Sequence, residues 1–325
     1  MKISRRQFVK AMAAMSAASM LAACGGNSGS GSSGGKKALT FQIWDVAQKE
    51  GMEAMCAAYT QQHPEVSIEV QVTSWNEYWT KLEAAATSNQ MPDIFWMHTN
   101  EILKYADNGM LADCSDIVEK DKFSEISLSN AMGSNGTLYA VPKDKDTVGL
   151  VYNKEMFDAA GVAYPDENWT WDDLVSASEK IYAATGKYGY MAYADDQLGY
   201  WNFVYQAGGY ILNEDKTKAG FTQPATEKAM KFYIGLQLND WCPDQTYFAE
   251  TAPGTAFFSE KGAMFLEGDW NILAELQNYP EMVGKWDVAV LPKCPDPESG
   301  DGRATISNGL RHRFLSFWRE NAVRL

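Results

Sequence analysis

The chain is poor in positive charge and in histidine. Its 325 residues carry 28 lysines and arginines against 42 aspartates and glutamates, which gives a net charge of −14. An excess of this sign argues against a nucleic-acid partner and against binding to anionic lipid through a basic patch. The three histidines, His63, His98 and His312, are far apart in the sequence and form no recognisable motif.

Motifs for cofactor chemistry and for common hydrolases are also missing. The chain has no GxxxxGK[ST] loop, no GxGxxG after a strand, no HExxH and no GxSxG. We therefore predict no cofactor and no metal site. Asp296–Gly302 (DPESGDG) has a faint likeness to a cation loop, and a solvated turn is the preferred interpretation. Carboxylates are abundant, so a glycosidase-type acid pair stays open as an alternative.

Cysteines are few and do not occur as CxxC pairs, which argues against a zinc site. Apart from Cys24 they are Cys56, Cys114, Cys242 and Cys294. Two disulfides are possible outside the cell, and isolated buried thiols are an equally acceptable interpretation.

A long hydrophobic run is absent as well. The apolar segment Ala11–Ala23 is too short to span a membrane, which takes about 20 residues. It follows Ser4–Lys10 (SRRQFVK), similar to a twin-arginine export motif, and ends in Leu21–Cys24 (LAAC), similar to a lipobox. Whether export uses the general or the twin-arginine route stays open.

These N-terminal features predict export and lipid anchoring. Residues 1–23 are a lipoprotein signal peptide, and Cys24 is the lipidated first residue of the mature chain. Residues 24–37 are rich in glycine and serine and form a tether. The predicted location is extracytoplasmic, with the protein anchored to the cell membrane through the lipid.

The sequence after the tether alternates strands and helices. Periodicity predicts strands at Leu39–Trp44, Ser67–Thr73 and Asp93–Met97, with helices at Lys49–Gln62, Tyr78–Ser88 and Glu101–Asn108. This order implies a parallel sheet with crossover helices, and such sheets bind ligands beyond the carboxyl ends of their strands.

The second half shows further elements of both kinds. Strands are expected at Thr137–Val141, Thr147–Tyr152 and Trp286–Leu291, and helices at Lys154–Ala160, Trp171–Ala184 and Pro224–Asn239. Thr170 and Asp173 have the spacing of a capping box. The strand at Trp286–Leu291 is placed to return to the first half of the chain.

Tryptophan is plentiful, with 11 residues, and several lie at the ends of predicted strands or in adjoining loops, next to polar side chains. Flat aromatic rings beside carboxylates and amides suit sugars, because the ring covers the C–H face while the polar groups bind the hydroxyls. Core packing is the alternative for any single tryptophan. The candidates are Trp44, Trp75, Trp96, Trp201 and Trp270.

The order of these landmarks resembles the maltose/maltodextrin-type (family 1) extracellular solute-binding lipoproteins of ABC sugar importers. The matching strings cover roughly residues 38–310, and the central block is the most specific. They are LTFQIWD at Leu39–Asp45, PDIFWM at Pro92–Met97, GTLYAVPKDKDTVGLVYNKEMFD at Gly136–Asp158, WTWDDL at Trp169–Leu174, QAGG at Gln206–Gly209, FSEKGAMFLEG at Phe258–Gly268, WDVAVLP at Trp286–Pro292 and SNG at Ser307–Gly309.

The resemblance implies a periplasmic-binding-protein-like α/β fold, with two lobes joined by hinge strands and a ligand cleft between them. The first lobe would comprise residues 38–142 and 293–310, and the second lobe residues 147–290. The family implies capture of a sugar or oligosaccharide and its delivery to permease subunits, without chemistry on the ligand. We expect a monomer.

By position, the resemblance and the strand ends give a set of candidate ligand-binding residues. They are Trp44, Asp45, Trp75, Trp96, His98, Asp144, Asp146, Trp201, Gly209, Asp269, Trp270 and Arg303. No catalytic residue is predicted.

The C-terminal segment departs from the family pattern. Residues 311–325 (RHRFLSFWRENAVRL) hold four of the seven arginines in the chain. We interpret this change as a shifted reading frame or misassembly after Leu310, which leaves the family's later helices missing. A genuine amphipathic basic tail is the alternative.

Two other functions remain as alternatives to import. One is a surface glycoside hydrolase with paired carboxylates in an aromatic cleft. The other is a sensor subunit that reports ligand occupancy to a membrane kinase. The sequence does not specify which sugar, linkage or length would bind.

Overall fold

The structure is a computed structural model that describes residues 36–213, 217–304 and 313–317, the last five by their backbone. The predicted signal peptide, the lipidation site at Cys24 and nearly all of the tether lie outside the described residues. In the described part of the chain, no helix is both long and apolar enough to cross a membrane.

The first lobe is a mixed sheet with helices against it. Its strands are β1 (Lys37–Ile43), β2 (Val66–Val72), β3 (Ile94–His98), β4 (Ala140–Asp144) and β9 (Arg313–Phe317), in the spatial order β2-β1-β3-β9-β4. β1 is parallel to β2 and β3, whereas β9 is antiparallel to both of its neighbours. The helices are α1 (Lys49–Gln62), α2 (Trp75–Thr87), α3 (Thr99–Asp107) and α4 (Glu125–Asn130), with a 3-10 turn at Lys120–Lys122.

The second lobe is organised in the same way around its own sheet. Its strands are β5 (Val148–Asn153), β6 (Tyr188–Tyr190), β7 (Gly262–Gly268) and β8 (Trp286–Ala289), in the order β6-β7-β5-β8. The helices are α5 (Lys154–Ala160), α6 (Trp171–Thr185), α7 (Trp201–Gln206), α8 (Pro224–Leu236), α9 (Gln245–Glu250), α10 (Pro253–Phe258) and α11 (Asp269–Asn278). A wide helical turn at Asp196–Tyr200 and a 3-10 turn at Pro280–Met282 complete the described elements.

Each lobe has a separate hydrophobic core. In the second lobe, alternate residues of β5 point to opposite faces of the sheet, as a strand requires. Leu150 belongs to one buried cluster and Val151 to another. β7 is buried along its whole length, which explains its apolar sequence from Gly262 to Leu266, and Glu267 is the one acid within it. The predicted α/β fold with two lobes is confirmed.

Local sequence signals explain several boundaries. The Thr170 side chain accepts a hydrogen bond from the Asp173 backbone, and the Asp173 side chain accepts one from the Thr170 backbone, so the predicted capping box is present. α5 ends at Gly161, which has a left-handed conformation with φ of 62°. α2 begins at Trp75, three residues earlier than periodicity predicted.

The connections between the lobes differ in part from the sequence-based expectation. The first crossing, at residues 145–147, joins β4 to β5. The strand predicted at Trp286–Leu291 does not return to the first lobe, because β8 pairs with β5. Residues 293–304 also contact the second lobe. The backbones of Lys293 and Thr170 form an isolated parallel β-bridge, and the Ala304 carbonyl accepts a hydrogen bond from the Gln206 side chain.

The strand that returns to the first lobe is β9, within the arginine-rich segment. Its backbone lies between β3 and β4, with Arg313 in register with both His98 and Asp144. Residues 305–312 and 318–325 lie outside the described residues. The origin of the segment, by a shifted frame or otherwise, stays a prediction.

Candidate functional site

A cavity of about 530 Å³ lies between the two lobes, beyond the carboxyl ends of β1 and β3. Both lobes contribute to its lining. The lining residues are Trp44, Asp45, Val46, Trp75, His98, Asn100, Asp146, Asp195, Asp196, Gln197, Leu198, Trp270 and Asn271. Two other cavities are lined by first-lobe residues alone, so this one has the position expected for a ligand cleft.

Trp44 is the centre of an aromatic cluster in the wall of the first lobe. It follows β1 directly, and its ring meets those of Trp75, Tyr78 and Trp96 edge to face, with centroids 5.0–5.2 Å apart. Edge-to-face contacts of this kind are favourable beyond the area they bury. The cluster therefore holds Trp44 and Trp75 in fixed orientations beside the cavity.

Trp75 is the most exposed ring of this cluster. It is 44% exposed, whereas Trp44 is 8% exposed and Trp96 is fully buried. Trp75 is the first residue of α2 and also meets the His98 ring at 5.4 Å. An exposed aromatic ring held by buried ones is a suitable surface for the apolar face of a sugar.

Polar groups of the first lobe are held by local hydrogen bonds. The Asp45 carboxylate accepts from the Ala47 backbone and from the Gln48 side chain, both at 2.9 Å. Gln48 in turn accepts from Lys143 at 3.0 Å, and the Lys143 ammonium lies 4.3 Å from the centre of the Trp96 ring. His98 accepts from the Asn100 backbone at the start of α3. These contacts orient the acceptors before any ligand binds.

The opposite wall comes from two segments of the second lobe. Asp195 accepts from the Leu198 backbone at 2.6 Å and so fixes the turn that carries Asp196 and Gln197. Trp270 and Asn271 come from the first turn of α11. The site thus combines three indoles with carboxylate and amide groups from both lobes.

Six of the twelve predicted residues line the cavity, and six do not. The structure brings together Trp44, Asp45, Trp75, His98, Asp146 and Trp270. Trp96 lies in the first-lobe core instead, and its backbone carbonyl accepts from Tyr78 at 2.7 Å. Asp144 forms an ion pair with Lys143.

The remaining predicted residues have positions outside the lining. Asp269 is exposed at the hinge, where it accepts from the Thr147 backbone at 3.3 Å. Trp201 begins α7, and Gly209 packs so closely on Thr226 that a Cβ atom there would lie 2.5 Å from the threonine hydroxyl. Arg303 is exposed and donates to the Glu167 carbonyl on the second lobe.

Sequence reasoning missed several lining residues of the second lobe. Asp195, Asp196 and Gln197 come shortly after β6, and the strand-end argument missed them because no strand was predicted at Tyr188–Tyr190. Asn100 and Asn271 lie in the first turns of helices that follow strands, where the sequence gives no separate signal.

The cysteines that the structure describes are all free and buried. Cys56, Cys114, Cys242 and Cys294 are therefore thiols, which decides between the two interpretations left open by the sequence. Burial raises the pKa of Cys114 to about 12 and that of Cys242 to about 11. Among the described residues, no group of histidine, cysteine and acidic side chains is arranged to hold a metal ion.

Comparison with known proteins places the chain in a family. The family described as bacterial extracellular solute-binding protein matches residues 44–311. A lactose-binding protein of Rhizobium radiobacter is 26% identical over 78% of this chain and 61% of its own length. An arabinooligosaccharide-binding protein of Bacillus subtilis is 26% identical over 88% of this chain and 67% of its own length.

A solved structure agrees with these sequence matches. An ABC substrate-binding protein of Listeria monocytogenes, in complex with cycloalternan, superposes with a TM-score of 0.76. It is 25% identical to this chain and covers 88% of it, while this chain covers 71% of that structure.

The present chain spans 61–67% of the length of the two curated relatives. Both relatives are named as binding proteins, which favours the receptor interpretation over the hydrolase. The resemblance predicted from the sequence is confirmed, and the chain belongs to the bacterial extracellular solute-binding protein family.

Proposed function

We propose that this protein captures a sugar or oligosaccharide in the cavity between its lobes and releases it to the permease subunits of an ABC transporter. One observation carries the proposal: Trp44, Trp75 and Trp270 approach the same cavity from two lobes, among carboxylate and amide groups. The relatives named for lactose and arabinooligosaccharide binding support the same ligand class.

The chemistry of the lining favours a neutral polyhydroxy ligand. Asp45, Asp146, Asp195 and Asp196 accept hydrogen bonds from hydroxyl groups, and the indoles cover C–H faces. Acidic sugars are disfavoured, because each would bring a negative charge beside these carboxylates. We assign ligand contact to the six predicted lining residues and to Asn100, Asp195, Asp196, Gln197 and Asn271.

A thermal melt of the full chain with a panel of mono- and oligosaccharides tests this function. Selective binding to the native state raises the melting temperature, and a hundredfold excess over Kd adds about 2.7 kcal/mol of stability. We expect one class of neutral sugar to raise the melting temperature, and a matched uronic acid not to do so. If no sugar in the panel changes the melting temperature, the proposal is contradicted.

Recovery of the ligand distinguishes a receptor from an enzyme. The sugar that raises the melting temperature is incubated with the protein for hours and then analysed by chromatography. We expect it to be recovered intact. Release of a shorter product would support the glycoside hydrolase instead.

We further propose that the protein acts as a monomer on the outer face of the cell membrane, held by lipid on Cys24. The LAAC string at residues 21–24 supports this anchoring. Mass spectrometry of the protein from the membrane fraction should show acylated Cys24 at the N-terminus, and Cys24→Ala should release the chain from the membrane.

A sensing role would instead require association with a kinase, and co-purification of permease subunits would favour import.

A further inference from the structure

Glu267 is a buried acid directly behind the wall of the cavity. It is the second-to-last residue of β7, and only 5% of its surface is exposed. Its Oε1 atom accepts hydrogen bonds from the Gly268 backbone at 2.7 Å and from Asn271 Nδ2 at 3.0 Å. Asn271 lines the cavity, so Glu267 is one hydrogen bond away from the proposed ligand.

The protonation state of Glu267 decides which way the Asn271 amide can face. An ionised carboxylate only accepts, so Asn271 must direct its NH2 group to Glu267 and keep its carbonyl oxygen for the cavity. A carboxyl group that carries its proton on Oε1, the atom facing Asn271, can donate to that carbonyl oxygen. The amide would then turn by half a rotation and present NH2 to the cavity, because its terminal torsion is roughly two-fold.

Two glycines and a second acid surround the Glu267 side chain. β5 places Gly149 opposite it in the sheet, and Gly254 of α10 lies beside it. A Cβ atom at Gly254 would be 3.1 Å from a Glu275 carboxylate oxygen and 3.5 Å from Glu267 Oε2, so both carboxylates lie beside Gly254.

Two charged groups act on Glu267, and both are acidic. They are Glu275 on α11 and Asp195 in the turn after β6. Burial is the main cause that raises the pKa of Glu267 to about 7, and both acids act in the same direction. The hydrogen bonds from Gly268 and Asn271 oppose this shift without cancelling it.

We propose that Glu267 is a positioning residue that sets the hydrogen-bonding polarity of Asn271 toward the ligand. With Glu267 ionised, Asn271 offers an acceptor to the cavity, and with Glu267 protonated it offers a donor. The lining is rich in acceptors, so the added donor strengthens the binding of hydroxyl oxygens at lower pH.

The side-chain amide of Asn271 reports on this switch without any ligand. The full chain is labelled with 15N-asparagine, and the Asn271 signal is assigned by its loss in Asn271→Asp. We expect its chemical shift to titrate with a midpoint near pH 7, to stop titrating in Glu267→Gln and to keep titrating in Glu275→Gln. A signal that is constant from pH 5 to 9, or that titrates unchanged in Glu267→Gln, would overturn the inference.

The consequence for affinity rests on the proposed function and is measured with maltotriose, or with the sugar found by the thermal melt. A neutral hydrogen bond is worth about 0.5–1.5 kcal/mol, so binding should be roughly threefold to tenfold tighter at pH 6 than at pH 8. Because His98 also lines the cavity, the readout is the difference in pH dependence between wild type and each variant.

The pH dependence should therefore be smaller in Glu267→Gln than in wild type. In Glu275→Gln it should persist with its midpoint at lower pH, because Glu275 helps to raise the pKa of Glu267. Equal pH dependence in wild type and Glu267→Gln would overturn the effect on affinity. If no sugar binds at all, the proposed function fails, and the amide titration still decides the role of Glu267.

Discussion

The indole of Trp270 lies directly against the Cα of Gly268, two residues earlier in the chain. A Cβ atom at residue 268 would be 2.2 Å from the six-membered ring of Trp270, far inside van der Waals contact. The backbone of Gly268 has φ of −89° and ψ of 145°, a conformation open to any residue. The glycine is thus required by the position of Trp270 and not by the backbone.

This contact makes Gly268→Ala a specific test of Trp270. We expect the added methyl group to displace the indole and to weaken sugar binding at least about tenfold, since burying an aromatic side chain against a ligand contributes about 1.5–3 kcal/mol. Calorimetric titration measures the loss. The control is Gly235→Ala in α8, where a Cβ atom has no neighbour within 4 Å and affinity should be unchanged. Equal affinity in both variants would exclude Trp270 as a contact.

The two tryptophans Trp75 and Trp96 should separate binding from stability. Trp75 is 44% exposed at the cavity, so Trp75→Ala should cost at least about tenfold in affinity and little in stability. Trp96 is fully buried, so Trp96→Ala should lower the free energy of unfolding by about 3–5 kcal/mol. Urea unfolding and sugar titration measure both quantities. A large stability loss at Trp75 with unchanged affinity would reverse these assignments.

Ionisation of Glu267 should lower the free energy of unfolding as the pH rises. Its pKa is raised from 4.5 to about 7 in the folded state, so the folded state binds more protons than the unfolded state between these values. The free energy of unfolding therefore falls as pH rises from 4.5 to 7, by about 3 kcal/mol in total from this group.

Glu267→Gln removes that penalty. At pH 8 the variant should be more stable than wild type by up to about 3 kcal/mol, and at pH 4.5 the difference should be small. Urea unfolding at the two pH values measures this, with Glu69→Gln on the exposed side of β2 as the control. An equal effect of Glu267→Gln at both pH values would argue against a raised pKa.

The buried thiols should resist modification in the native protein. Burial raises the pKa of Cys56, Cys114, Cys242 and Cys294, so little thiolate is present at pH 8. In a Cys24→Ser chain, iodoacetamide should modify these residues slowly in buffer and fully in guanidinium. Mass spectrometry counts the adducts. Failure of any pair to react in guanidinium without reductant would indicate a disulfide.

Much of the fold follows from local sequence signals. α1 and α5 have the predicted bounds, because Lys49–Gln62 is followed by His63-Pro64 and Lys154–Ala160 by a left-handed glycine. The strand-end argument likewise led to Trp44, Asp45 and His98, since strands β1 and β3 end there.

Long-range pairing is what the sequence could not supply. The sequence pattern of β8 is compatible with a place in either sheet. Only its pairing with β5 shows that it belongs to the second lobe. From the sequence alone, Trp75 and Trp96 are equally good candidates for stacking against a ligand. The difference is that Trp96 lies inside the aromatic cluster around Trp44, whereas Trp75 is at its exposed end.

The most direct test of the central claim is a calorimetric titration of wild type and Trp270→Ala with the same neutral sugar. The account predicts one-to-one binding to wild type and at least about tenfold weaker binding to the variant, with the two proteins equally folded. Equal affinity in the two proteins would place the sugar elsewhere. Absence of binding to the wild type across the whole sugar panel would contradict carbohydrate capture itself.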